Sequence, residues 1–86
     1  MYRMHDGEYC AECGAVATDT HHCIFGKNRQ NSETWGLTVR LCRSCHRRLH
    51  DSDEQLAMRY RKAAQMAFTL AYGHDEFMRI FGRNYL

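Results

Sequence analysis

The stretch "LCRSCHRRLH", Leu41 to His50, holds two cysteines three positions apart and two histidines four positions apart. These residue types in such density point to metal, yet one short element cannot easily turn all four side chains onto a single ion. The stretch therefore divides. Cys42 and Cys45 have the two-residue separation with which a backbone turn presents two sulfurs to a tetrahedral ion. His46 and His50 instead have the spacing that places side chains over one another on a helix, which predicts a helix from about Arg43 to Asp51. The fold then depends on what completes each pair.

Cys10 and Cys13 repeat the first spacing. Two such pairs make a closed, all-thiolate zinc site with no open position for a substrate, so its role is to pin an N-terminal knuckle to the segment after a second strand. The knuckle is "YCAECGAV", Tyr9 to Val16, where Gly14 can take the left-handed conformation such turns need. Cys23 is left over and reads as a small core hydrophobe. With zinc saturated by thiolates, His21, His22, His46 and His50 are free for other work, whereas the isolated His5 and His74 read as structural. His21 and His22 sit in "DTHHCIF", a predicted strand in which neighbours point to opposite faces. One of the two can share an ion with the helical pair, and the other is free to accept a proton.

The remaining chain supplies a frame. "GKNRQNSETWG" is polar with glycine at both ends and reads as a loop, and "LTVRLC" as the second strand. "SDEQ" has the form of a capping box opened by Ser52. Leu56, Tyr60, Ala63, Ala64, Ala67 and Leu70 or Ala71 then recur at helical spacing until Gly73. A shorter helix, from about Asp75 to Phe81, brings Phe77, Ile80 and Phe81 to the same core before Gly82. The expectation is one α+β domain over residues 1–86, with a zinc-stapled core of about 9–51 and a helical part of about 52–86. At 86 residues an unaided apolar core is marginal, which makes a metal staple the expected remedy.

Five cysteines without a signal-like apolar start, and no segment long enough for a bilayer, suit metal thiolates in a reducing cytoplasm and exclude a membrane partner. Twelve Lys and Arg against ten Asp and Glu give a formal charge of +2, too mild to demand nucleic acid. The distribution says more, because Arg40, Arg43, Arg47 and Arg48 crowd around the Cys/His cluster, with Lys27 and Arg29 upstream.

Together, "HHCIF", "GLTVRLC" and "CRSCHRRLH" between C-x-x-C pairs resemble the HNH, or ββα-metal, endonuclease superfamily over roughly residues 10 to 51. "HHCIFG", "WGLTV" and "YGHDEFMRIFGRNYL" look more narrowly like small zinc-stapled HNH proteins of phages and prophages, some labelled recombination-associated nucleases. The resemblance implies a ββα-metal core, structural Zn²⁺ on Cys10, Cys13, Cys42 and Cys45, and a second divalent ion on His21, His46 and His50. His21 would be a ligand as in the nuclease colicins, which also have a His-His pair there, and His22 the general base. The implied substrate is DNA, double-stranded or branched, cut to a 3′-hydroxyl and a 5′-phosphate in a bacterial or phage-infected cell. One departure stands out: the family's central Asn, just before the second strand, is replaced by Gly36. Asn28 and Asn31 are the amides placed to restrain the loop in its stead, and Arg29, Arg47 and Arg48 are candidates for phosphate contact.

The implied chemistry is coherent. Phosphodiester hydrolysis needs an activated water, charge neutralisation at phosphate and a stabilised leaving alkoxide, of which a divalent ion supplies the last two. Imidazole, which ordinarily titrates near neutrality, supplies the first, typically at a gain of about 10²–10⁴-fold. Imidazole ligands suit Zn²⁺, Ni²⁺ or Mn²⁺ better than Mg²⁺, although an open site accepts several ions. Two other readings fit the same residues: a non-catalytic zinc module that binds nucleic acid or a phage or host protein, and a single zinc site of mixed ligands with spare cysteines.

Overall fold

A computed structural model describes Met4 and residues 7–86; His5 lies outside the described residues. The β-branched and alternating stretches pair as expected. β1 (Asp19–His22) runs antiparallel to β2 (Thr38–Leu41), with Asp19 opposite Leu41, Thr20 opposite Arg40, His21 opposite Val39 and His22 opposite Thr38. The knuckle precedes β1. It closes through a bridge between Tyr9 and Val16, with Gly14 at φ +83°, and it is tied to β2 by Ala11 N–H donating to the Arg40 carbonyl at 2.9 Å.

β1 ends at His22 and does not run on to Phe25, although Cys23 N–H still bonds the Leu37 carbonyl. The segment expected to be a loop is a 3₁₀ turn, Gly26–Asn28, followed by a short helix, α1 (Arg29–Thr34). Apolar periodicity could not reveal it, because α1 is anchored by polar side chains. Ser32 Oγ accepts from Ile24 N–H at 3.2 Å and donates to the Ile24 carbonyl at 2.5 Å. On the opposite side Asn28 Nδ2 donates to the Phe81 carbonyl and Asn31 Nδ2 to the Ile80 carbonyl.

α2 (Arg43–Asp51) opens directly after β2, followed by α3 (Glu54–Tyr72) and α4 (His74–Phe81). Asp53, not Ser52, caps α3: its Oδ1 accepts from Leu56 N–H at 3.0 Å, while Ser52 N–H is used to close α2 on the Arg48 carbonyl. A carboxylate at the helix start also has the favourable charge for that end. Gly73, at φ +95°, is the one-residue hinge between α3 and α4, and α4 begins one residue earlier than its expected Asp75.

The core lies between the sheet, α2 and the α3–α4 hairpin. Leu37, Val39 and Leu41 from the β2 region meet Leu49, Leu56, Phe68, Phe77 and Phe81. Phe77 stacks on Phe81 at 4.6 Å between centroids, and Phe68 meets both rings edge-on. The expected stripe on α3 holds at Leu56 and Ala64, but its C-terminal end does not: Leu70 is 88 % exposed and Ala71 is also exposed. Phe68 and Gln65 take the inward positions instead. Gln65 is buried with both ends of its amide used, donating to Asn84 Oδ1 and accepting from Tyr85 N–H, each at 2.7 Å. Cys23 is fully buried, and burial pushes its thiol up to about 12. His74 is exposed at the start of α4. Among the described residues no helix is long and apolar enough to cross a membrane.

Candidate functional site

Four sulfurs gather first. The Sγ atoms of Cys10, Cys13, Cys42 and Cys45 lie within 4.8 Å of one another, with Cys13 and Cys42 3.7 Å apart. Local backbone places them. Cys42 is the N-cap of α2, where its Sγ accepts from Cys45 N–H at 3.4 Å, and Cys10 Sγ accepts from Glu12 N–H at the same distance. The cluster divides its protons unevenly. Burial raises Cys10, but the N–H groups of Cys42, Cys13 and Glu12 outweigh it and bring the thiol down to about 6; burial and the neighbouring sulfurs push Cys45 up to about 12. Four thiolates at this separation need a cation between them. The cluster can therefore hold a metal such as zinc, and the donor set fits that ion.

Three imidazoles form a second group. His21 from β1 and His46 and His50 from α2 each offer a nitrogen within 4.8 Å of the others, and the Nε2 atoms of His46 and His50 are 3.2 Å apart. His21 is 1 % exposed, and its Nε2 has no hydrogen-bond partner among the described residues. An orphaned buried nitrogen costs about 1–3 kcal/mol, so this atom invites an explanation. Burial, then the positive forms of His46, His50 and His22 and the Arg61 guanidinium, bring His21 down to about 3; burial and His46 also lower His50. Both rings are thus held in the neutral form that can donate a lone pair. His46 is oriented from behind: its Nδ1 is 3.0 Å from Asp19 Oδ2, which leaves Nε2 for the cluster. His46 and Arg43 together hold the Asp19 carboxyl at about 2.

His22 stands beside this group without joining it. Although successive strand side chains diverge, His22 is the last residue of β1, and both His21 and His22 line one cleft of about 190 Å³ together with Thr20, Phe25, Arg29, His46 and His50. Its Nε2 lies 2.8 Å from Glu33 Oε2 on α1. Phe25 packs edge-on to His50 at 4.9 Å between centroids, and the Arg61 guanidinium lies over the Phe25 ring at 4.4 Å. Asn28 and Asn31 bond each other and the last carbonyls of α4, and neither is bonded to His22. Of the candidate arginines, Arg29 lines the histidine cleft. Arg47 and Arg48 line a separate hollow of about 510 Å³ with Arg43, where Arg48 is already 3.7 Å from Glu12 and 3.6 Å from Asp53.

Asp19 and Glu33 are absent from the residues singled out in the sequence. Asp19 had a usable signal, since it lies two residues before His21 and therefore on the same face of the strand. Glu33 had none while its segment read as a loop. Searches of protein-family models, curated proteins and solved structures find no match to the chain.

Proposed function

We propose that the chain is a metal-dependent endonuclease of HNH type that hydrolyses DNA phosphodiester bonds, with β1, β2 and α2 as a ββα-metal core. The supporting observation is the cleft in which the three-imidazole group, His22 and Arg29 meet, apart from the four-thiol cluster. That separation leaves the histidines unspent by structural zinc. A divalent ion held by His21, His46 and His50 would supply Lewis acidity toward the scissile phosphate and the leaving alkoxide. Everything else falls to the chain itself. His22 takes the proton from the attacking water, Asp19 fixes the His46 ring, and burial keeps His21 neutral. Arg29 faces a phosphate in the cleft, while Arg47, exposed on α2, contacts one further along the backbone. The reading includes a reducing cytoplasmic setting, where thiolates persist.

A plasmid-nicking assay with Mg²⁺, Mn²⁺, Ni²⁺ and Zn²⁺ tests this. Wild type is expected to nick supercoiled DNA slowly in a metal-dependent way, and His22→Ala to lose nicking while keeping its fold and DNA affinity. DNA binding without nicking in any ion would replace the enzyme reading with that of a non-catalytic zinc module.

A further inference from the structure

Gly36 stands where the resemblance expects an amide, and the two nearby amides are spent on α4. What then restrains His22? Its ring has a different partner, the Glu33 carboxylate at 2.8 Å. An ionised carboxylate only accepts, so a neutral imidazole facing it must carry its hydrogen on that nitrogen, and the other nitrogen is left as the acceptor. We infer that Glu33 is the positioning residue for His22: it takes the hydrogen bond from Nε2–H and leaves Nδ1 as the atom that accepts the proton of the attacking water. This rests on the nuclease reading.

The geometry around Glu33 suits such a role. α1 is only six residues long, yet it is clamped on two sides, by Ser32 on the Ile24 backbone and by Asn28 and Asn31 on the end of α4. Glu33 thus projects from a fixed base. The carboxylate itself is 47 % exposed, whereas His22 is only 14 % exposed. A contact whose carboxylate is half open to water adds little to stability, so it has more to do with orienting a ring than with holding the fold. When water gives its proton to Nδ1, the imidazolium that forms lies against the Glu33 carboxylate, and the charge is compensated without movement of either side chain. A base oriented by a third group is the general logic of such dyads. Here the third group comes from a segment whose sequence reads as a loop.

The test combines ring-nitrogen NMR with single-turnover nicking, using the zinc-containing full chain. The expected spectrum of wild type shows His22 protonated on Nε2, and Glu33→Ala shifts the ring to a mixture of tautomers. Nicking by Glu33→Ala falls by about 10–100-fold, the usual cost of losing an outer hydrogen-bond partner, with the melting temperature unchanged. Glu33→Gln, whose amide oxygen still accepts, retains most of the rate. The inference is overturned by a wild-type His22 protonated on Nδ1, or by Glu33→Ala nicking as fast as wild type or faster; in those cases the nuclease reading stands. A wild type that fails to nick in every ion tested overturns both.

Discussion

His21 is where the residue scale is most informative, because a buried imidazole with an orphaned nitrogen has few stable explanations. It is also where pH should act on the fold. Its ordinary value is 6.5, and the folded protein holds it at about 3. As pH falls below 6.5 the unfolded chain takes up a proton at this position that native His21 refuses, so stability is present above that value and is lost progressively toward 3. The slope from one such group is at most about 1.4 kcal/mol per pH unit. Ligation of a metal by His21 would act in the same direction, since protons compete for the same nitrogen. Melting temperatures measured from pH 7 down to pH 5 are expected to fall, and to fall less steeply in His21→Gln; parallel profiles would contradict this. Asp19 gives a companion prediction. Asp19→Asn, which weakens the hold on His46, should lower metal affinity at the histidine group by about 10–100-fold while leaving the four-thiol cluster loaded. His50→Ala should lower it further, and His22→Ala hardly at all. Titration calorimetry with Mn²⁺ or Ni²⁺ on zinc-loaded protein separates these outcomes.

At the scale of elements, legibility followed the kind of force involved. β2, α2 and the C-terminal hairpin were readable because their side chains repeat with the period of the backbone, and the C-x-x-C and H-x-x-x-H spacings carried their own geometry. α1 was not readable. Its inward side is made by Asn28, Asn31 and Ser32, polar residues whose partners are backbone groups distant in sequence, and no local pattern encodes such partners. The error at Leu70 has a similar origin: spacing of three and four is satisfied by more than one stripe, and Phe68 claims the core because Phe77 and Phe81 face it across the hairpin. The Glu33 dyad was lost with α1, since a loop fixes no direction for a side chain. The anchoring is testable. Ser32→Ala strips both the N–H and the carbonyl of Ile24 of a buried partner, which should cost about 1–3 kcal/mol per unsatisfied group. Urea denaturation should show the loss, and an unchanged midpoint would mean that α1 is held by something else.

For the whole molecule the decisive quantity is how much of the fold would depend on an ion such as zinc in the four-thiol cluster. The knuckle contributes little apolar burial, with Cys10 alone of its residues buried, and is tied to β2 by the backbone bond from Ala11 to Arg40. The α3–α4 hairpin has the aromatic contacts, yet its phenylalanines share one continuous core with Leu37, Leu41 and Leu49 from the half that carries the four-thiol cluster. The two halves cannot therefore melt independently without exposing that core. Zinc in a structural thiolate site contributes about 10–16 kcal/mol at neutral pH, whereas folded domains have about 5–15 kcal/mol of net stability in all. The first number consumes the second. Removing zinc with a chelator under reducing conditions should accordingly abolish the near-ultraviolet circular dichroism that Trp35 acquires from its edge contacts with Phe68 and Tyr72, together with the cooperative thermal transition. One equivalent of zinc should restore both, filling the thiol cluster before the histidines, and Cys13→Ser or Cys42→Ser should reproduce the loss without a chelator. A metal-free chain that keeps the tryptophan signal and melts cooperatively would show instead that the aromatic hairpin carries the fold and that zinc only trims the knuckle.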